Sequence, residues 1–483
     1  MDVARLSASK LRSLISDREL SCVEVVEACL AQIEGYNGKI NAVVTLNDAA
    51  VDEARQLDKR LAVGDNVGVL AGIPVGIKDV TQTKGMRTTF GSVLYADHVP
   101  KVDALVVQRL KAADAVILGK TNTPEFAAGA NTFNEVFGAT RNPWNTDLSV
   151  GGSTGGGAAG LATGMIALAE GTDLGGSLRI PASFCGVVGL RPSPGMIPTW
   201  PNDFLWDDMA VTGGMGRTAL DGALMLEAVA GPSPIAPLHQ SIHGRKFVEV
   251  VQQGIPKGTR LAFCSDIAGI GVDDEIQKVC RVATEELGQV GACVEEIDLD
   301  LSYAREAFLA IRGLWMVVNQ YSRLDRISEF GDNLAANVRG GLETTIVQLA
   351  AAQQARAQLW ADMHEFFQRF DFLLTPCMAV SPHPVEQNHP KTIGGQAMKT
   401  YIDWVAPTFI LSPTGLPIAS VPAGFDPKGL PVGIQVVGGP QKEEAVLAIA
   451  SEIQRARPIG LPPLSRLPTE TSQWCGGQAK RSG

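Results

Sequence analysis

Residues 171–192 read GTDLGGSLRIPASFCGVVGLRP, and a second glycine-rich segment upstream, 151–160, reads GGSTGGGAAG. Each sets a serine, Ser177 or Ser153, in a loop that opens toward an apolar run. Glycine lets the main chain approach a ligand closely and aim successive N–H groups at one point, which suits a phosphate or an oxyanion; a plain structural turn is the alternative. A phosphate-binding loop needs a glycine five positions before its GK[ST] tail. The tail Gly119, Lys120, Thr121 is present, but position 114 is Asp, and no GxGxxG follows a strand pattern. Nucleotide binding loses its support and an oxyanion function stays open.

The flanking segments set the fold class. Residues 69–80 (VLAGIPVGIKDV), 115–118 and 418–421 are short apolar or β-branched runs bounded by Gly, Pro or Asp, the pattern of buried strands. Residues 103–113, 158–169 and 218–229 have helical periodicity, so the chain is expected to be α/β with a mixed sheet. Residues 7–34 predict two amphipathic helices clasping the outside of the core. Leu11, Leu14 and Ile15 share the first face, and Val23, Val26, Ala28, Leu30 and Ile33 follow a Ser21 cap. Residues 257–300 run strand, polar loop, helix (274–287) and strand, as an insertion on the same sheet.

Composition narrows the partners. Of 483 residues 45% are hydrophobic and 19% charged, which marks a globular chain rather than a disordered one. The net charge of −10, with no run of Lys or Arg, argues against nucleic acid as a direct ligand. Eight scattered cysteines without a CxxC pair suit reduced thiols and a cytoplasmic setting. The N-terminal stretch lacks the apolar core of an export signal. The longest apolar stretch, 155–169, is shorter than the roughly 20 residues a membrane span needs and reads as a buried helix, so no membrane partner is expected.

Residues 151–155 also fit GxSxG, the nucleophile elbow of α/β-hydrolases, which requires a strand before the serine and an Asp then a His after it. The preceding NPWNTDLSV carries Pro, Asn and Asp where that strand should run. None of the six histidines lies near the glycine loops or in HExxH, so neither a histidine base nor a metal site is indicated. Lysine serves as a base when burial lowers its pKa, and Lys78 in AGIPVGIKDV has the apolar neighbours for it; a lysine at a strand end reaching water is the blander reading. Asp79 falls on the opposite strand face and need not touch Lys78.

IPVGIKDV, GGSTGG and GTDLGGSLRIPASFCGVVGLRPSPG together resemble the amidase signature family. The likeness extends through TTFGS (88–92), GKTNTPEF (119–126), FGATRNPWN (137–145) and GLPIASVPAGF with GLPVGIQVVG near the C-terminus. It implies one αβα domain over 1–465 with a large twisted mixed sheet flanked by helices and a variable substrate-side region at 230–365; the Pro-, Ser- and Gly-rich composition past Leu461 reads as a loose tail at 466–483. The likeness further implies a cofactor-free and metal-free serine amidohydrolase with a Ser-cisSer-Lys triad. Lys78 takes the place of the family's lysine, Ser153 of its bridging serine behind a cis peptide, and Ser177 of its nucleophile. The backbone N–H groups of Leu174, Gly175 and Gly176, with Ser177 itself, stand where the family's oxyanion hole lies. Asp173 and Arg179, which flank the nucleophile, read as a buried ion pair bracing the loop. The chain departs from the usual GGSSGGS at Thr154 and Gly157, and the latter lacks a hydroxyl.

Relatives cleave aryl and fatty amides, nylon oligomers and urethanes, or form the glutamine-hydrolysing component of a tRNA-dependent amidotransferase. Candidate pocket walls are Phe126, Ala127, Gly129, Thr154, Trp200, Trp206 and Tyr401, with Phe204, Trp315 and Trp404 beside them; their aromatic character points to apolar or aryl amides, carbamates or esters. The expected partner is that small molecule; the amidotransferase component is the alternative. A homodimer stays open, since no segment declares an interface.

Overall fold

Eleven strands form one mixed sheet in the computed structural model, which describes residues 2–466. In chain order they are β1 (Val43–Leu46), β2 (Pro74–Lys78), β3 (Val116–Thr121), β4 (Leu168–Asp173), β5 (Val188–Arg191) and β6 (Val211–Gly216). They continue as β7 (Arg260–Phe263), β8 (Cys293–Glu296), β9 (Phe372–Pro376), β10 (Ile418–Phe425) and β11 (Pro431–Gly438). Across the sheet the order is β1, β3, β2, β4, β6, β5, β10, β11, β9, β7, β8. Parallel pairing joins β2 to β3 and β4, and β7 to β8 and β9; the central pairs are antiparallel. β2 is buried along its whole length, as an apolar run between two parallel neighbours requires. The architecture is a single α/β domain.

The sequence pattern set most elements, with shifted ends. Ser21 caps the helix Cys22–Ile40 through a capping box with Glu24. That helix runs past 34, and the face it buries is Val25, Val26, Cys29 and Ile33; Val23, Ala28 and Leu30 are only half-buried. The strand read over 69–80 is Pro74–Lys78, preceded by turns. Residues 257–300 supply β7, the helix Asp274–Glu286 and β8 at one edge of the main sheet, as expected.

One expectation fails. The helix read over 158–169 is Gly155–Thr163, stopped by Gly164 at φ +84°, and Leu168 and Ala169 already belong to β4. A Gly- and Ala-rich run buried on every side has no polar face, so it carries no period to mark where helix gives way to strand. The break matters, because the helix start and the far end of β4 carry the two serine loops. The tail expected over 466–483 lies, apart from its first residue, outside the described residues. No helix among the described residues is long and apolar enough to cross a membrane.

Candidate active site

Lys78 ends β2 and is fully buried. Its Nζ lies among three hydroxyls: Ser153 Oγ at 2.7 Å, Thr154 Oγ1 at 3.0 Å and Thr172 Oγ1 at 3.0 Å. Burial disfavours the ammonium and lowers its pKa to about 7, against the opposing pull of the Glu170 and Asp173 carboxylates. A neutral amine has two N–H donors and one lone pair. Three hydroxyls fit that count, two as acceptors and one able to donate to the lone pair.

Glu170, on the neighbouring β4, accepts the Lys78 backbone N–H at 3.1 Å and the Thr81 hydroxyl at 2.9 Å. Desolvation raises its pKa, against the Thr81 hydrogen bond and the Lys120 and Lys78 charges. Asp79 turns away, as its strand parity requires, and takes the Thr89 N–H at 3.1 Å. Lys120 is a second buried lysine, bonded to the Thr81 carbonyl and to Thr83 Oγ1; burial lowers its pKa to about 8.

Ser153 follows a cis peptide from Gly152, and Thr154 stands at the N-terminal end of the helix Gly155–Thr163. The close packing explains the glycines here. A Cβ on Gly156 would sit 2.3 Å from the Asn122 nitrogen, and one on Gly155 2.3 Å from Thr132 Oγ1. Ser177 sits on the loop leaving β4, just before the helix Arg179–Cys185. Thr154 N–H donates to the Ser177 carbonyl at 3.1 Å, tying the two serine loops together. Ser153 and Ser177 line one cavity of about 660 Å³. Ser177 Oγ has no hydrogen-bond partner among the described residues, so the structure closes the link from Lys78 to Ser153 and leaves the link from Ser153 to Ser177 open.

Asp173 and Arg179 form the expected buried pair at 2.9 Å, both without exposure, and Arg191 joins it at 3.2 Å. Burial alone would raise Asp173; the two guanidiniums outweigh it and hold the carboxyl well below the usual carboxylate range. Arg191 was invisible as a partner in the sequence, because it arrives from β5.

Two groups of expected site residues divide. Leu174, Gly175 and Ser177 line the cavity, and their N–H groups donate to nothing among the described residues. Gly176 does not: it is buried off the wall, and its N–H is spent on Asp173 Oδ1 at 2.8 Å. Among the proposed walls, Phe126, Ala127, Gly129, Trp200, Trp315 and Tyr401 face the cavity. Trp206 is 70% exposed and off the wall, and Thr154 lies beneath it against Lys78. Trp404 is a core residue stacked near Phe184, and Phe204 also stands off the cavity. Thr172 and Glu170 were missed; the carboxylate inside the apolar run that became β4 was the available signal.

The family model described as Amidase matches residues 24–447. The chain belongs to the amidase family. It is 34% identical over 461 residues to an acylamidase of Rhodococcus erythropolis, covering 94% of this chain and 96% of that one. It is 33% identical to the A component of the glutamyl-tRNA(Gln) amidotransferase of Carboxydothermus hydrogenoformans, covering 95% and 100%. Among solved structures, a bacterial aryl acylamidase of the amidase signature family superposes with a TM-score of 0.87 at 30% identity, covering 94% and 97%. The 6-aminohexanoate cyclic dimer hydrolase gives 0.83 at 26% identity, covering 96% and 99%. As an amidase, the protein is a hydrolase of amide C–N bonds.

Proposed function

We propose that Ser177 is the nucleophile of this amidase, that Ser153 bridges, and that Lys78 is the base. The observation that carries the reading is the desolvated Lys78 amine 2.7 Å from Ser153 Oγ, on the wall that also holds Ser177. The Ser177 hydroxyl proton passes to Ser153 Oγ as the Ser153 proton passes to Lys78 Nζ, while Ser177 Oγ bonds to the amide carbon. Catalytic hydrogen bonds that are open in a free enzyme tighten in the substrate complex, which accommodates the open second link. The developing oxyanion takes the N–H groups of Leu174, Gly175 and Ser177. Collapse breaks the C–N bond, the relay returns a proton to the leaving amine, and water then releases the acid by the same path.

The wall of Phe126, Trp200, Trp315 and Tyr401 favours aryl or apolar amides, and carbamates and esters share the acyl chemistry. The likeness to an acylamidase and an aryl acylamidase supports the same class. We place the enzyme in the cytoplasm, acting alone on small molecules.

Labelling with a fluorophosphonate and mapping the adduct by mass spectrometry tests the assignment. An adduct on Ser177 that disappears in Ser177→Ala supports it, and an adduct on Ser153 overturns it. Aniline release from an anilide panel by the purified protein supports the free amidase. Activity only with added partner proteins favours the amidotransferase component.

A further inference from the structure

We infer that the cavity takes an amide bearing a carboxylate and that Arg312 receives that carboxylate; this rests on the amidase reading above. The helix Ala304–Gln320 lines the cavity with Phe308, Arg312, Trp315, Met316 and Asn319, which share one helical face. Phe308 marks the reacting end. A Cβ on Gly175 would lie 2.9 Å from Phe308 Cζ, so this ring abuts the loop that precedes Ser177. Arg312 stands one turn further along, about 5–6 Å by side-chain origin.

Arg312 is only 7% exposed, and its bound partners are neutral. Its two terminal nitrogens donate to Asn337 Oδ1 and to the Tyr401 hydroxyl, which leaves three of five N–H groups without an acceptor among the described residues. Asn337 Nδ2 also donates to the Tyr401 hydroxyl at 2.9 Å, so tyrosine and asparagine brace the guanidinium. Along the same stretch, Arg305 is paired with Asp403, and Arg326 with Glu329 at 2.8 Å. Arg312 and Arg323, the two between them that face the cavity, have no carboxylate at ion-pairing distance among the described residues.

Arg323 repeats the pattern toward the rim. It lies over the Phe126 and Tyr95 rings at 5.1 and 5.6 Å, and its N–H groups go to Gln320, Ser322 and Asn319, all neutral. The partly buried carboxylate on the wall, Asp207, is taken by the Trp315 indole N–H at 2.5 Å and by the N–H groups of Met209 and Ala210. Asp203 lines the exposed part of the same cavity, and neither it nor Asp207 is at ion-pairing distance from Arg312 or Arg323, so the two guanidiniums stand on the wall without a paired counter-ion among the described residues. A buried cation without a counter-ion is costly unless something pairs with it, and a carboxylate meets the planar guanidinium fork with two hydrogen bonds. An anionic substrate supplies that pair on binding.

The test compares acids with neutral isosteres of the same shape. On the acyl side these are succinanilate and 4-oxo-N-phenylpentanamide; on the amine side, 4-acetamidobenzoate and 4-acetamidoacetophenone. The expected result is a kcat/KM at least tenfold higher for the acid on one of the two arms, carried mainly by KM and shrinking as salt rises. Arg312→Met brings that ratio near one, Arg312→Lys retains part of it, and Tyr401→Phe lowers it several-fold by loosening the brace. Turnover of the neutral anilides with no acid preference, or an Arg312→Met ratio equal to the parent's, overturns this inference alone. Failure to release the arylamine from any of the four (aniline on the acyl-side arm, 4-aminobenzoate or 4-aminoacetophenone on the amine-side arm) speaks against the amidase reading. Calorimetry then still decides the subsite: succinanilate or 4-acetamidobenzoate binds Ser177→Ala protein and loses at least tenfold in affinity when Arg312→Met is added, and affinities unchanged for both acids overturn it.

Discussion

Asp173 holds Gly176 from inside the loop: its Oδ1 accepts the Gly176 N–H at 2.8 Å, while Oδ2 accepts that of Leu178 at 3.1 Å. The same carboxylate pairs with Arg179 and Arg191 in full burial. The curl that brings Ser177 to the cavity is therefore fixed by a charge the substrate never meets. Removing one partner of such a network leaves uncompensated charge, so Asp173→Ala is expected to cost about 3–5 kcal/mol of stability. Urea unfolding measures it, and a loss below about 1 kcal/mol would show that the loop does not depend on this carboxylate.

Gly175 has no room for a side chain. A Cβ there meets Phe308 Cζ at 2.9 Å and Phe409 Cβ at 3.2 Å, and those rings stack with centroids 4.4 Å apart. Gly175→Val must push the loop from the rings and carry its N–H out of line. Misplacing one preorganised donor costs on the order of 10²–10³ in kcat. Steady-state kinetics with one anilide should show that loss with KM little changed, and an unaltered kcat would remove this N–H from the oxyanion site.

The reacting residues were legible through the likeness of their strings to the amidase signature family, while the residues alone left a plain turn and a solvent-reaching lysine open. Lys78, Ser153 and Ser177 each sit in a string whose glycines and apolar flanks declare a tight loop or a buried strand end. Groups that act across strands were not. Thr172 reaches Lys78 because β4 lies parallel to β2, a register no local pattern encodes. Arg312 was not singled out at all, since periodicity separates a buried face from an exposed one and cannot say that the buried face borders a cavity. Gly176 failed as a donor for a similar reason: sequence supplies an N–H, and only the fold shows that Asp173 has taken it.

Thr172→Val removes one of the three oxygens around Lys78 Nζ while keeping the shape of the side chain. An ammonium gains more from an acceptor than a neutral amine does, so losing one disfavours the charged form. The acid limb of kcat/KM, set in the parent by a lysine of pKa about 7, is expected to move to lower pH in the variant. A pH–rate profile decides it, and a limb that moves upward would mean that Thr172 stabilises the neutral amine instead.

Position 157 offers a gain rather than a loss. Thr121 Oγ1 is buried without a hydrogen-bond partner among the described residues, and it lies 3.9 Å from where a Cβ on Gly157 would sit. A serine there places a hydroxyl within reach of this orphan atom. The same Cβ meets Ala169 Cβ and Thr154 Cγ2 at 3.1 Å each, so the neighbours must yield slightly. Satisfying a buried hydroxyl is worth about 1 kcal/mol, and a helix-interior glycine replaced by another residue adds a few tenths. Gly157→Ser is expected to raise the urea midpoint modestly, and a fall beyond about 1 kcal/mol would show that the packing term wins.

Lys78 also ties activity to stability. Its pKa is about 10.5 in the unfolded chain and about 7 when folded, so between those values the unfolded state binds the extra proton. Burying Lys78 therefore costs stability most below about pH 7, and the cost is relieved as pH rises toward 10.5. Lys78→Met abolishes that dependence. The stability of the variant relative to the parent should fall by about 1.4 kcal/mol for each pH unit between 7 and 10, while its amidase activity is lost most severely at the acid end, where hydroxide is too scarce to replace the base. Urea melts of both proteins at pH 7 and 9.5 give the first quantity and a pH–rate series the second. A stability gap that does not change with pH would mean that Lys78 stays charged in the folded protein, and a charged ammonium has no lone pair with which to take the Ser153 proton.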